Sequence, residues 1–171
     1  ETRMSFREVD LKSLEFSPFA KIGDEWALLT AGTTSGYNTM TVSWGGMGGL
    51  WGKDVGTVYV RPQRYTKEFV DANDRFTLSF YAPEHKEALR YLGTHSGRDS
   101  YKATHVGFTP AYLDGSVAFE QASLVLVCRK LYADDIKPEN FLDGSIDARC
   151  YPEKDYHTMY IAEVEHALVS A

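Results

Sequence analysis

Residues 38–66 read NTMTVSWGGMGGLWGKDVGTVYVRPQRYT, and the class of fold follows from how this stretch is parsed. Hydroxyl side chains (Thr39, Thr41, Ser43) alternate with bulky apolar ones (Met40, Val42, Trp44), the two-residue period of a strand whose faces differ chemically. One face is suited to packing and the other to binding. Gly45, Gly46, Gly48 and Gly49 predict a loop in which the missing Cβ lets a planar ligand approach the backbone and its amide N–H groups. A second strand over 57–61 then delivers Arg61, Arg64, Tyr65 and Thr66 to the start of a helix beginning TKEFVDAN. Guanidinium groups and a hydroxyl at a helix start suit a phosphate, because free N–H groups point outward there and arginine binds phosphate oxygens in a fork. The segment thus predicts a flat apolar shelf at one end and an anion pocket at the other.

Composition narrows the classes of function. A chain of 171 residues with 43% hydrophobic and 25% charged side chains is long enough for one domain, spanning 1–171, with a substantial core. The formal net charge of −6 opposes nucleic acid, and no basic stripe interleaves with aromatics. No apolar run approaches the roughly 20 residues of a membrane-spanning helix, and ETRMSFREVD at the start has no hydrophobic signal core. Cys128 and Cys150 form neither a CxxC pair nor a multi-cysteine framework, so a cytoplasmic protein with two free thiols is expected.

Elsewhere the pattern predicts a strand over 26–31 entered by a polar turn at Gly23 and Asp24, and a loop, GTTSGYN, leading back to Asn38. Another strand is predicted over 75–81, then a helix with Pro83 in its first turn and Gly93 at its end. A buried strand is expected over 122–131, loop with one helical turn over 134–147, and a last strand over 158–168. Many short strands with few short helices argue for a mainly β protein, a barrel, over alternating parallel units. No G-x-S-x-G elbow or G-x-G-x-x-G fingerprint is present, and no histidine pairing has metal-ligand spacing.

The N-x-M-T-x-S-W-G strand, the R-P-x-R-Y-T segment, THSGRDSYK (94–102) and DYHTMYIAEVE (155–165) occur in an order that resembles the flavin reductase-like FMN-binding split-barrel family, in particular its flavoredoxin branch. The resemblance covers most of the chain. It implies an FMN-binding split β-barrel with a few short flanking helices, a homodimer with flavin near the interface, and NADH or NADPH as a transient co-substrate. It also implies site residues. Asn38, Thr39, Met40, Thr41 and Trp44 would border the isoalloxazine ring and ribityl chain, with Ser43 on the same strand. Arg61, Arg64, Tyr65 and Thr66 would hold the phosphate end, joined by Lys102 and, as companions, Ser96 and Arg98. His157 would lie beside flavin and nicotinamide as the catalytic residue, although the family's Gly-Asp-His is here Asp155-Tyr156-His157.

Structural roles compete with each assignment. Trp44 with Gly45 and Gly46 also reads as a core tryptophan at a turn, Arg61 and Arg64 as solvated rim residues, Thr66 as an N-cap, and His157 as a strand-edge histidine bonded to a neighbour. Three functions follow: an NAD(P)H-dependent flavin reductase, an electron carrier of flavoredoxin type exchanging electrons with a redox partner protein, and a ligand-binding barrel without redox chemistry.

Overall fold

The computed structural model describes residues 5–98 and 102–171. Among them the strands are β1 (Phe6–Val9), β2 (Ala27–Thr33), β3 (Gly36–Val42), β4 (Gly45–Leu50), β5 (Lys53–Val60), β6 (Arg75–Phe80), β7 (Pro110–Leu113), β8 (Ser116–Phe119), β9 (Leu124–Asp135) and β10 (Thr158–Ser170). The helices are short: α1 (Pro18–Ala20), α2 (Thr66–Ala72), α3 (Lys86–Thr94), α4 (Lys102–His105) and α5 (Gly144–Cys150).

Eight strands form one antiparallel sheet in the order β3-β2-β6-β9-β10-β5-β4, with β1 on the far half of β10, while β7 and β8 make a separate hairpin. The strands at the two ends of this order, β3 and β4, are consecutive in the chain and joined only by Ser43 and Trp44. Three Cα steps of 3.8 Å reach at most about 11 Å, so the sheet must curl until its edges meet. That is a barrel, with Ser43 and Trp44 at its seam. β10 makes the split: Thr158 to Glu163 pair with β5, Ala167 to Ser170 pair with β1, and β9 runs along the other side. Register shifts at Ile161/Ala162 and Val164/His166 bend the long strand between its two partners.

Both faces of the central strands are covered, which is why 122–131 reads as a continuous apolar run. Leu29, Met40, Val58, Phe76, Leu78, Leu126 and Tyr160 fill the barrel. Leu28, Val125 and Val127 point the other way, onto Leu89 and Leu92 of α3, Phe108, and Phe119 of β8. α2 and α3 both pack against β3, so the strand carrying the candidate residues lies between the barrel and its helices.

Several sequence expectations change. The glycine-rich stretch expected as a loop is the edge strand β4, paired with β5 through a two-residue hairpin at Trp51 and Gly52, whose φ values are 54° and 70°. Positive φ at both positions matches the twist of paired strands, and the backbone needs no side chains to pair. Gly45 has a packing reason, since a Cβ there would lie 2.7 Å from the Thr57 carbonyl. Gly93 does not end α3: it lies inside the helix, where a Cβ would come 3.1 Å from that of Thr41. β9 continues to Asp135, and α5 lies partly within the expected loop. The β7–β8 hairpin, with Asp114-Gly115 at its turn and φ of 48° and 73°, is an element the sequence pattern does not predict.

Candidate functional site

The stretch 38–66 leaves and re-enters the seam of the barrel, and its polar residues collect at two places. The first is a cleft of about 190 Å³ lined by Asn38, Gln63, Arg64, Thr66, Ser96 and Lys102, among others. Arg64 donates from Nη1 to the Gly93 carbonyl at 3.1 Å, and Lys102 donates from Nζ to the carbonyls of Leu92 (2.9 Å) and His95 (2.8 Å). Both cations therefore sit at the C-terminal end of α3, where free carbonyls favour positive charge. Neither forms an ion pair with a carboxylate among the described residues. Burial, with Arg64 beside it, pushes the Lys102 ammonium down to about 8, and burial lowers Arg64 as well. Two neighbouring, partly desolvated cations with no carboxylate partner among the described residues make this cleft suited to an anion.

Thr66 is buried and donates to Asn38 Oδ1 at 2.7 Å, so it does not act as an N-cap. Asn38 is in turn pressed by Gly97: a Cβ on that glycine would lie 1.8 Å from Asn38 Nδ2. Ser96 Oγ accepts from the Arg98 amide, while the Arg98 side chain pairs with Glu68 at 3.2 Å and lies over the Tyr65 ring at 4.3 Å. Arg98 is thus charge-compensated by Glu68. The middle of THSGRDSYK, residues 99–101, lies outside the described residues.

The second place is aromatic. His157 is buried, with ring centroids 5.4 Å from Trp44, 5.5 Å from Tyr151 and 6.4 Å from Tyr59, and its Nδ1 is 2.6 Å from the Tyr151 hydroxyl. Burial first and the Arg61 charge second push its pKa down to about 4, with Asp155 opposing. The ring is neutral at pH 7. Trp44 is 52% exposed and borders a groove of about 480 Å³ with Ser43, Gly45, Gly46, Met47, Phe19 and Ile22. It is therefore no core tryptophan.

Arg61 belongs with His157 and not with Arg64. Pro62 and the turn closed by the Arg64 amide on the Arg61 carbonyl (3.1 Å) reverse the chain between them. Its guanidinium pairs with Asp155 at 3.0 Å, donates to the Cys150 carbonyl at 3.1 Å and lies 5.0 Å from the Tyr151 ring centre. The expected phosphate pocket of Arg61, Arg64, Tyr65 and Thr66 is thus divided, with Arg61 set apart. The hydroxyls of β3 are engaged as well: Thr39 bonds Thr30 Oγ1 at 2.8 Å and Thr41 donates to the Leu89 carbonyl, while Met40 and Val42 face the core. Asn38 and Thr39 line a cavity with Tyr65 and Lys102, and Ser43 and Trp44, just past the strand, line the groove at the seam. Sequence reasoning missed Gln63, Gly97 and Tyr151. Gly97 lies inside a quoted motif, but nothing in the sequence signals that Tyr151 meets His157.

Residues 19–171 match the family described as flavin reductase like domain, and the chain belongs to that family. Similar solved structures include an FMN-binding domain of a flavin reductases-like enzyme from Shewanella baltica (17% identity, TM-score 0.68, covering 96% of this chain and 77% of that one). Flavoredoxin from Methanosarcina acetivorans follows (19%, 0.64, 84% and 67%), as does the styrene monooxygenase flavin reductase from Pseudomonas putida (18%, 0.61, 84% and 77%). At these identities the likeness establishes the split-barrel fold. No curated protein matches the chain.

Proposed function

We propose that this chain is an FMN-binding oxidoreductase that takes electrons from NADH or NADPH and passes them to free flavin or another acceptor. The observation that carries the reading is the Arg64–Lys102 pair, two adjacent cations in a cleft with no carboxylate partner among the described residues. FMN fits the residues present. Its phosphate would lie against Arg64 and Lys102 with Asn38, Thr66 and Ser96 around it, and its ring would reach toward Trp44 and His157. The six residue steps from Asn38 to Trp44 span at most roughly 20 Å of extended chain, room for the ribityl linker. Bound flavin supplies a ring that accepts hydride or single electrons and hands them on. The protein anchors the phosphate, offers an exposed indole against the ring and places a neutral imidazole beside it.

The FMN-binding structures similar to this chain support the cofactor, and the flavin reductase from Pseudomonas putida supports the reductase reading. A homodimer is part of the proposal: Phe19, 88% exposed, and Trp44 leave an apolar groove open beside the seam, which a second copy would cover. Light scattering of the FMN-bound protein should give twice the chain mass.

A flavoredoxin-type carrier is the second reading, favoured by the residues ahead of His157. Asp155 is engaged by Arg61 and Gln63, and Tyr156 donates to Asp147 at 2.7 Å, so neither is available as the family's Gly-Asp would be. One experiment separates the outcomes. FMN should bind at least tenfold more tightly than riboflavin, because a charge-assisted phosphate contact contributes about 1.5–3 kcal/mol, and Arg64→Ala should remove that preference. Equal affinities would sink the phosphate site. Anaerobic stopped-flow with NADH and NADPH then distinguishes reductase from carrier.

A further inference from the structure

We propose that Tyr151 is a positioning residue: it donates its phenol proton to Nδ1 of His157, fixes the imidazole as the Nε2–H tautomer, and so presents an N–H donor at the aromatic end of the site. The consequence for catalysis rests on the flavin reading above; the tautomer itself does not.

The proton assignment follows from counting donors and acceptors. The Tyr151 side chain is buried, and its hydroxyl has one polar side-chain partner, Nδ1 at 2.6 Å. A buried hydroxyl places its single proton on an acceptor. If Nδ1 carried the proton instead and donated to the phenol oxygen, the phenol proton would have no acceptor. A neutral imidazole has one N–H, so with Nδ1 accepting, Nε2 holds it. Among the described residues Nε2 makes no hydrogen bond, and no sealed polar side-chain atom lacks one, so this N–H is open to solvent near Trp44.

Tyr151 is itself held rigidly. The Arg61 guanidinium lies over its ring and grips Cys150 and Asp155 on either side, its amide donates to the Asp147 carbonyl at 2.9 Å, and Tyr156 packs 4.8 Å away while bonded to Asp147. α5 and the turn after it form the mount. The charged and titratable groups facing His157 are Arg61 and Asp155, with the phenols of Tyr59 and Tyr151; Arg61 and burial oppose a second proton on the ring. An N–H fixed in this way can donate to an acceptor on a flavin edge or to a nicotinamide carboxamide oxygen, whereas the other tautomer would present a lone pair.

Nitrogen NMR of ¹⁵N-histidine-labelled protein, prepared without flavin, tests the proposal directly. Wild type should show Nε2 protonated and Nδ1 bare throughout pH 5.5–8. Tyr151→Phe should give a mixture of tautomers. Tyr156→Phe, which removes a hydroxyl from the same mount but not from the ring, should leave the wild-type pattern. A protonated Nδ1 in wild type, or an unchanged tautomer in folded Tyr151→Phe, overturns the inference; if Tyr151→Phe does not fold, the wild-type spectrum alone decides. A protein with the expected tautomer that fails to bind FMN would defeat the flavin reading and leave the tautomer assignment standing.

Discussion

At the scale of single residues, the site depends on close contacts that leave no slack. Gly97 is the sharpest case, because any side chain there would occupy the position of the Asn38 amide. Gly97→Ala should displace Asn38, break its bond with Thr66 and weaken FMN at least tenfold, measured by quenching of flavin fluorescence. Gly144→Ala, where a Cβ meets nothing within 4 Å, should leave affinity unchanged. Lys102 gives a pH dependence whose sign can be worked out. Its pKa near 8 in the fold lies below the ordinary 10.5, so between these values the unfolded chain holds more protons, and the free protein gains stability as pH rises through that window. An anion has the opposite preference, since it requires the ammonium. FMN affinity should therefore fall above pH 8, and binding at pH 9 should take up a proton. Calorimetry in two buffers of different ionisation enthalpy reads that uptake, and Lys102→Met should abolish it.

At the scale of elements, β4 shows how a strand can form with little side-chain contribution. Gly45, Gly46, Gly48 and Gly49 give low strand propensity, yet the hairpin turn at Trp51 and Gly52 fixes register with β5, and the Thr57 backbone sits where a Cβ of residue 45 would go. Gly45→Val should break the pairing next to the seam and lower stability by about 1–3 kcal/mol. Urea unfolding measures that loss, and an unchanged midpoint would show that β4 tolerates a shift. The same edge supports Trp44, so the variant should also dim any contact between the indole and flavin. β10 works differently: its side chains are varied, and its bulges let one strand serve both halves of the barrel.

At the scale of the whole molecule, the outer hairpin is tied to the barrel by a titratable clasp. His166 on β10 meets Glu8 of β1 at 2.7 Å and Asp114 of the β7–β8 turn at 2.8 Å, and the Glu8 hydrogen bond and charge raise its pKa above 6.5. A raised pKa on a cation means that the stabilisation is fully present below 6.5 and is lost as pH rises through the folded-state value. His166→Gln should thus melt below wild type at pH 6 and close to it at pH 9. A difference of equal size at both pH values would mean that the ring packs without acting as a charge. Among the described residues no helix is long and apolar enough to cross a membrane.

The sequence by itself determined the local pieces, because strand alternation, helix starts and buried runs depend on near neighbours in the chain. The strand carrying Met40 and Val42, the helix from Thr66, the buried strand around Leu126 and the mainly β class were all legible for that reason. The resemblance of four segments supplied the family. Only the tertiary structure decided which polar groups meet. It placed Lys102 beside Arg64 across the end of α3, turned Arg61 back toward Asp155, closed the barrel at Trp44 and brought Tyr151 onto His157. Those contacts join residues from different elements, and their partners are selected by burial and unpaired charge after the sheet has curled, which no local pattern encodes.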